Sequence, residues 1–306
     1  MDGYASNVSP LIIRHLKTTY EARPARVIIG DLDVMSQAPL SMIAAGVGDI
    51  IGKYVCLADW QMAHMVNGEY ICQEIMELVR QSIQKVADHA RAAIQRDKAA
   101  ISAIMEGLVL SGIAMSYIGN SRPASGSEHH MSHYWEMMFL LAETADPLHG
   151  TKVGVGTVSA LRLYEMLKES QASLEFLQAP HFEKEAWQKQ ILDAYGPAAC
   201  GVLKLEEEIG KNSDEKVSKR RKTFLEHQEE IWKIVDALPS SKDIQKLLES
   251  MNAPFSPAQL QVPKEVFQKG IYFAKDLRNR FGLLQILFDF GLQETFSPKL
   301  IDEFYI

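Results

Sequence analysis

Residues 40–66 read LSMIAAGVGDIIGKYVCLADWQMAHMV, and the fold turns on whether GVGDIIG at 46–52 is a phosphate-gripping turn or part of a helix. A dinucleotide-binding turn follows a strand and opens a helix inside a βαβ unit. Here the residues before and after the glycines carry apolar side chains at three- and four-residue spacing, the period of a helix. A second glycine-rich stretch, GTKVGVGT at 150–157, also lacks the βαβ context, so neither is read as a nucleotide site. Glycines within helices let two backbones approach closely. That draws attention to Asp49, the charged residue held between them.

Working outward, helical periodicity recurs at about 69–95, 98–117, 126–144, 152–173, 182–193, 200–209, 214–237, 241–250, 263–273 and 276–290, with Gly, Pro, Asn or Ser between the segments. The best strand candidate is ARVIIGDLDVM at 25–35. No internal repeat, low-complexity tract or long linker interrupts the chain. The expectation is a mainly α protein with little sheet, folded as one helical unit over residues 1–306.

The 306 residues carry a formal net charge of −7 and an isoelectric point near 5.8. Nucleic acid and anionic membrane both call for a basic face, so neither is an expected partner. The basic run SKRRK at 218–222 is flanked by acids and is expected to be a solvated helix face. Cys56, Cys72 and Cys200 form no CxxC pair, which fits a reducing cytoplasm and buried filler positions rather than a disulfide framework. No basic-then-apolar leader and no run of about 20 apolar residues is read, so neither export nor a membrane span is expected.

Three of the nine histidines lie in SRPASGSEHHMSHYWEM, residues 121–137. His129 and His133, four apart, share a helical face, whereas His130 points about 100° away. His149 sits in DPLHGTKVG, where Pro147 and Gly150 separate two helices. A divalent metal such as zinc takes three His/Asp/Glu ligands and leaves a position open for substrate, and two histidines from neighbouring helices plus one acid would meet that need. An isolated pair at i, i+4 is more often a surface or satisfied-core pair than a metal site. The turn SRPASGS adds a guanidinium, hydroxyls and a flexible glycine of the kind that gathers around a polar ligand, and spacing leaves a metal site and an anion site both open.

SRPASGSEHHMSH, together with MDGYASNVSP at 1–10, AAGVGDIIGKYVCLADW at 44–60 and RNRFGLLQILFDFGL at 278–292, resembles the sn-glycerol-1-phosphate dehydrogenase family. That family is one of the metal-dependent alcohol dehydrogenases and dehydroquinate synthases. The resemblance runs through essentially the whole chain. It implies the helical metal- and substrate-binding domain of the dehydroquinate synthase-like fold. It also implies Asp49, His129 and His149 as ligands to catalytic zinc, or to nickel as in some bacterial members.

Asp49 would touch substrate through the metal-bound end, His133 and Asp2 would contact substrate, and Ser6 would contact the nicotinamide nucleotide. For Asp49 the bland alternative is an interior carboxylate paired with Lys53, for His149 a helix cap, and for Asp2 and Ser6 caps of the first helix. His130, His15, His64, His89, His181 and His227 match no motif and are expected at the surface. Charge alone makes Arg122 and Lys53 candidates for a phosphate grip.

The implied chemistry is metal-assisted hydride transfer between NAD or NADP and a small phosphorylated ketone or polyol, dihydroxyacetone phosphate and sn-glycerol 1-phosphate. Asp49 and His133 would be catalytic, and His133 would titrate near neutrality. A cytoplasmic homodimer is the family expectation. Family members begin with a nucleotide-binding half of over a hundred residues, whereas this sequence begins inside the motif that follows it. Residues 1–306 are therefore expected to be the catalytic helical domain with the N-terminal nucleotide-binding domain absent. A non-catalytic helical binding or dimerisation module derived from the same fold is the alternative. A lyase of the dehydroquinate synthase type would carry Glu in place of Asp49.

Overall fold

The computed structural model describes residues 5–13 and 15–305. Two strands, β1 (Val8–Ile13) and β2 (Leu16–Glu21), pair antiparallel from Val8 opposite Glu21 to Ile13 opposite Leu16. The strand expected at 25–35 does not form: residues 22–31 carry no regular structure, and a short helix α1 (Leu32–Met35) follows, capped by the Asp31 carboxylate. Val27 and Ile29 stand 74% and 84% exposed. Their β-branched pattern suits a strand, but a strand also needs a neighbour for its N–H and C=O groups. β1 and β2 satisfy each other, and among the described residues no third strand lies beside them.

The rest of the described chain is helical, as the periodicity predicts. The 40–66 segment divides at Gly52 into α2 (Leu40–Ile51) and α3 (Lys53–Asn67). These are followed by α4 (Gln73–Ile94), α5 (Lys98–Ile118), α6 (Ser127–Leu141) and α7 (His149–Glu169). The glycine-rich stretches do lie inside helices, and they meet. A Cβ on Gly48 would overlap the Gly150 carbonyl, and one on Gly150 the Ala45 carbonyl. This backbone-to-backbone seam between α2 and α7 places Asp49 of one helix beside His149 of the other.

The C-terminal part comprises α8 (Lys184–Tyr195), α9 (Ala199–Ile209), α10 (Asp214–Glu226), α11 (Gln228–Asp236), α12 (Ser241–Ser250), α13 (Lys264–Phe273), α14 (Leu283–Asp289) and α15 (Gln293–Phe304). The expected 214–237 helix breaks at His227, the one at 276–290 starts only at Leu283, and α15 was not anticipated. The segments Leu40–Asn67 and Lys98–Ile118 are, against expectation, apolar enough to cross a membrane, but 67% and 61% of their most apolar windows are buried. Their apolar surface is used in the core.

The SKRRK run is also corrected. Lys219 and Lys222 are solvated, but Arg220 is buried in a two-pronged bond to Asp289 at 2.6 and 2.7 Å, and Arg221 stacks 4.5 Å over Phe290. Of the cysteines only Cys56 is buried, and Cys200 is exposed.

Asp59 on α3 orients the helix that carries the histidines. Its Oδ2 accepts the Ser127 N–H and hydroxyl, both at 2.7 Å, at the first turn of α6, and its Oδ1 accepts the Leu283 N–H at 2.9 Å at the start of α14 and the Tyr164 hydroxyl. One buried carboxylate thus satisfies orphan donors at two helix starts, where negative charge is favoured. A side chain at Gly282 would collide with it.

Candidate metal and substrate site

Asp49 from α2, His129 from α6 and His149 at the first position of α7 converge, and one ligand atom from each lies within 4.8 Å of the others. His129 Nε2 faces Asp49 Oδ1 at 3.2 Å. The His133 ring completes the cluster, 5.8 Å from His129 and 5.6 Å from His149, stacked on the latter at 25°. One helical turn between His129 and His133 puts both on this side of α6, as their spacing predicts.

Both readings of Asp49 hold in part. Lys53 Nζ lies 3.7 Å from its Oδ1 and donates to its backbone carbonyl at 3.1 Å. Yet Asp49 Oδ1 is buried without a hydrogen bond, and so is His149 Nδ1, whose nearest carboxylate is Glu136 at 3.9 Å. The outer edge of the His149 side chain stays 40% exposed, so this ring bridges the buried cluster and the open side. Burial alone would raise the Asp49 carboxyl, but Lys53 and His129 beside it hold it well below the usual range. Two imidazoles and a carboxylate with an orphaned buried oxygen form a donor set that suits zinc or nickel and leaves room for a further oxygen ligand.

His133 differs from expectation in its ionisation. Burial, then the charges of Lys17, His149, His129 and Arg278, hold it well below an ordinary histidine, so it stands as a neutral ring rather than one titrating near neutrality. Lys17 of β2, 6% exposed, is ion-paired with Glu136 of α6. Arg278 is half-buried, and its guanidinium has no hydrogen bond or ion pair among the described residues. The charges felt at His133 are those of these two cations, not those of Arg122 and Lys53.

Arg122, 1% exposed, donates to the carbonyls of Asp59 at 3.1 Å and Phe281 at 2.7 Å and pairs with Glu69 at 2.9 Å. It ties the SRPASG turn to α3. Lys53 is fully buried behind Asp49. Arg278 sits in the quoted RNRF segment, where charge was the available signal. Lys17, on a strand that was not anticipated, had none.

The remaining residues also differ from expectation. His130 is buried rather than at the surface, with Nε2 unbonded and its pKa depressed well below normal by burial, then by Arg280 and Lys211. Among the described residues no ring contact joins it to His129, His133 or His149, which contact one another. Ser6 is buried, its hydroxyl accepting the Val8 N–H at 3.1 Å, and none of the described contacts joins it to the histidines. Asp2 lies outside the described residues. Beside Asp49 and His149 opens a cavity of about 400 Å³, walled mainly by apolar residues such as Met42, Ile104, Met105 and Leu148.

The architecture is similar to that of a solved alcohol dehydrogenase. An archaeal halo-thermophilic alcohol dehydrogenase from a Red Sea brine pool matches with a TM-score of 0.50, covering 99% of this chain and 61% of that one at 13% identity, a likeness of fold alone. No family model matches the chain. The sequence narrows the likeness. A glycerol-1-phosphate dehydrogenase (NAD(P)+) of Geobacillus thermodenitrificans is 34% identical over 295 residues, 96% of this chain and 65% of the relative. That of Halalkalibacterium halodurans is 33% identical over 287 residues, 94% of this chain and 62% of the relative. The chain is a homologue of the glycerol-1-phosphate dehydrogenases over nearly all its length, and it spans a little under two thirds of theirs.

Proposed function

We propose that this chain is the metal- and substrate-binding part of an NAD(P)-linked dehydrogenase interconverting dihydroxyacetone phosphate and sn-glycerol 1-phosphate. The observation that carries it is the convergence of Asp49, His129 and His149, with an orphaned carboxylate oxygen among them, in a chain homologous to glycerol-1-phosphate dehydrogenases. Asp49, His129 and an imidazole nitrogen of His149 would hold zinc or nickel, and such a cation polarises the oxygen of a ketone or alcohol. Reduction adds a hydride to the carbonyl carbon and a proton to its oxygen, with NAD(P)H converted to NAD(P)+.

The chain's own residues do the rest. His133, a neutral ring, hydrogen-bonds the substrate hydroxyl and can pass a proton by accepting at one nitrogen and donating from the other. Lys17 and Arg278 form the positive wall on the His133 side and suit a phosphate, Arg278 as the planar donor with no other partner among the described residues and Lys17 as a point charge steadied by Glu136. The apolar cavity beside Asp49 and His149 gives the site a low-dielectric wall. Asp2 and Ser6 keep the substrate and nucleotide contacts that the resemblance implies. The setting is the cytoplasm, as a homodimer.

Metal analysis and calorimetry test this reading. The chain should retain zinc or nickel and bind dihydroxyacetone phosphate competitively with inorganic phosphate, and should lose that binding when stripped. Equal binding by the stripped chain, or no metal retained, overturns it.

A further inference from the structure

We propose that Glu128 is a positioning residue for His129: it holds the imidazole with its proton on Nδ1, so that Nε2 is the nitrogen offered beside Asp49. This rests on the reading that Asp49, His129 and His149 hold a metal. Glu128 has no solvent exposure. Its Oε1 lies 2.6 Å from His129 Nδ1 and accepts the Gly126 N–H at 2.9 Å, while the other face of the same ring presents Nε2 to Asp49 Oδ1 at 3.2 Å. Both ring nitrogens face a carboxylate, but the contact to Glu128 is much the shorter, 2.6 Å against 3.2 Å to Asp49. A carboxylate accepts and cannot donate, so a single ring proton goes to Nδ1 and Nε2 keeps its lone pair for a cation shared with Asp49. A neutral imidazole left to water favours the reverse arrangement, with the proton on Nε2, which cannot ligate.

The fold makes specific room for this carboxylate. A Cβ on Gly126 would come 2.8 Å from Glu128 Oε2, one on Gly52 3.3 Å from its Cγ, and one on Gly156 2.5 Å from its backbone oxygen. Gly126, in the turn before α6, and Gly52, at the joint of α2 and α3, thus leave room for the side chain, while Gly156 of α7 packs against the backbone of the same residue. Burying a carboxylate is costly unless it is well bonded, and a purely local role at the first turn of α6 would be met by its bond to Gly126 alone. The second bond, to His129, is the part that a capping role leaves unexplained. Fixing a ligand's tautomer through its far nitrogen is a general way of raising metal affinity, with losses of about 10- to 100-fold when that partner is changed.

The test uses the whole chain labelled with 15N-histidine, the His129 signals being assigned by their loss in His129→Gln. In the metal-free wild type at alkaline pH the ring should carry its proton on Nδ1, and in Glu128→Gln the proton should redistribute towards Nε2. Zinc affinity, measured by chelator competition, should fall about 10- to 100-fold in Glu128→Gln, with the thermal transition showing that the variant is folded. A proton on Nε2 in the wild type overturns the proposal without any variant, as does a Glu128→Gln protein with wild-type ring signals and zinc affinity. If the wild type binds no zinc, the metal reading fails, and the ring spectrum alone still decides what Glu128 does to His129.

Discussion

Asp49 and Asp59 lie ten residues apart on consecutive helices, 6% and 1% exposed, and they meet opposite fates. Both oxygens of Asp59 are saturated by the Ser127 N–H and hydroxyl, the Leu283 N–H and the Tyr164 hydroxyl. Burial, then Glu128, pushes its carboxyl upward while Arg122 and these donors pull back. Asp49 has an oxygen with no hydrogen bond, imidazoles on one side and Lys53 behind, and its carboxyl is held down. An unsatisfied buried acceptor costs about 1–3 kcal/mol, and the proposed metal would satisfy this one at the meeting point of three elements. The saturated carboxylate builds the site and the unsaturated one serves it.

Isosteric substitution separates the two roles. In Asp59→Asn the amide nitrogen must face donors whichever way it turns, so unfolding stability should fall by about 2–4 kcal/mol, read by urea or thermal denaturation. A loss below about 1 kcal/mol, within the range of ordinary surface changes, would break the contrast. In Asp49→Asn metal affinity should fall about 100-fold, since a neutral amide replaces the anionic ligand. Stability of the metal-free protein also falls, because buried Lys53 loses the carboxylate beside it, so metal affinity is the readout that separates the two roles. A folded Asp59→Asn protein that loses as much metal affinity as Asp49→Asn would erase the distinction.

A third variant tests the seam that brings Asp49 to His149. Gly48→Ala drives a methyl into the Gly150 carbonyl, and overpacking of this kind costs about 1–3 kcal/mol. Because the two helices must part, metal affinity should fall with stability. A destabilised protein that binds metal as tightly as wild type would show that the seam packs the core without setting the ligand spacing.

The glycine seam explains much of what could be read in advance. Helical period and absent strand context were local signals, so GVGDIIG and GTKVGVGT were legible as helix, and Asp49 stood out between the glycines. The union of Asp49, His129 and His149 was not local. It spans 100 residues of chain, and it came from resemblance, since spacing alone could not choose between His133 and His149 as partner to His129.

Burial was hardest to see. His130, Arg122, Arg220 and Arg221 read as surface or ligand-binding charges, yet each is enclosed by segments distant in sequence. Strand pairing failed for the same reason. Val27 to Ile29 has the side chains of a strand, but pairing is decided by what lies alongside, and among the described residues only β1 and β2 found partners. Lys17 went unnoticed with them, because its value depends on the hairpin placing it against Glu136.

The contrast extends to the cations as one between partnered and unpartnered charge, where the expected effect is smallest and most specific. Arg122 commits Nη2 to two carbonyls and Nε to an ion pair with Glu69, with Nη1 buried and unbonded, whereas the guanidinium of Arg278 has no partner among the described residues although its charge is felt at His133. A hydrogen bond to a charged group contributes about 1.5–3 kcal/mol. Arg278→Ala should therefore weaken glycerol 1-phosphate binding about 10-fold, leaving metal content and melting temperature unchanged. Arg122→Ala should do the reverse, lowering the melting temperature while the folded fraction binds normally. Calorimetric titration of both variants with glycerol 1-phosphate and with unphosphorylated glycerol locates the effect. If Arg278→Ala weakens the two ligands equally, the arginine does not hold the phosphate, and the positive wall serves only to keep His133 neutral.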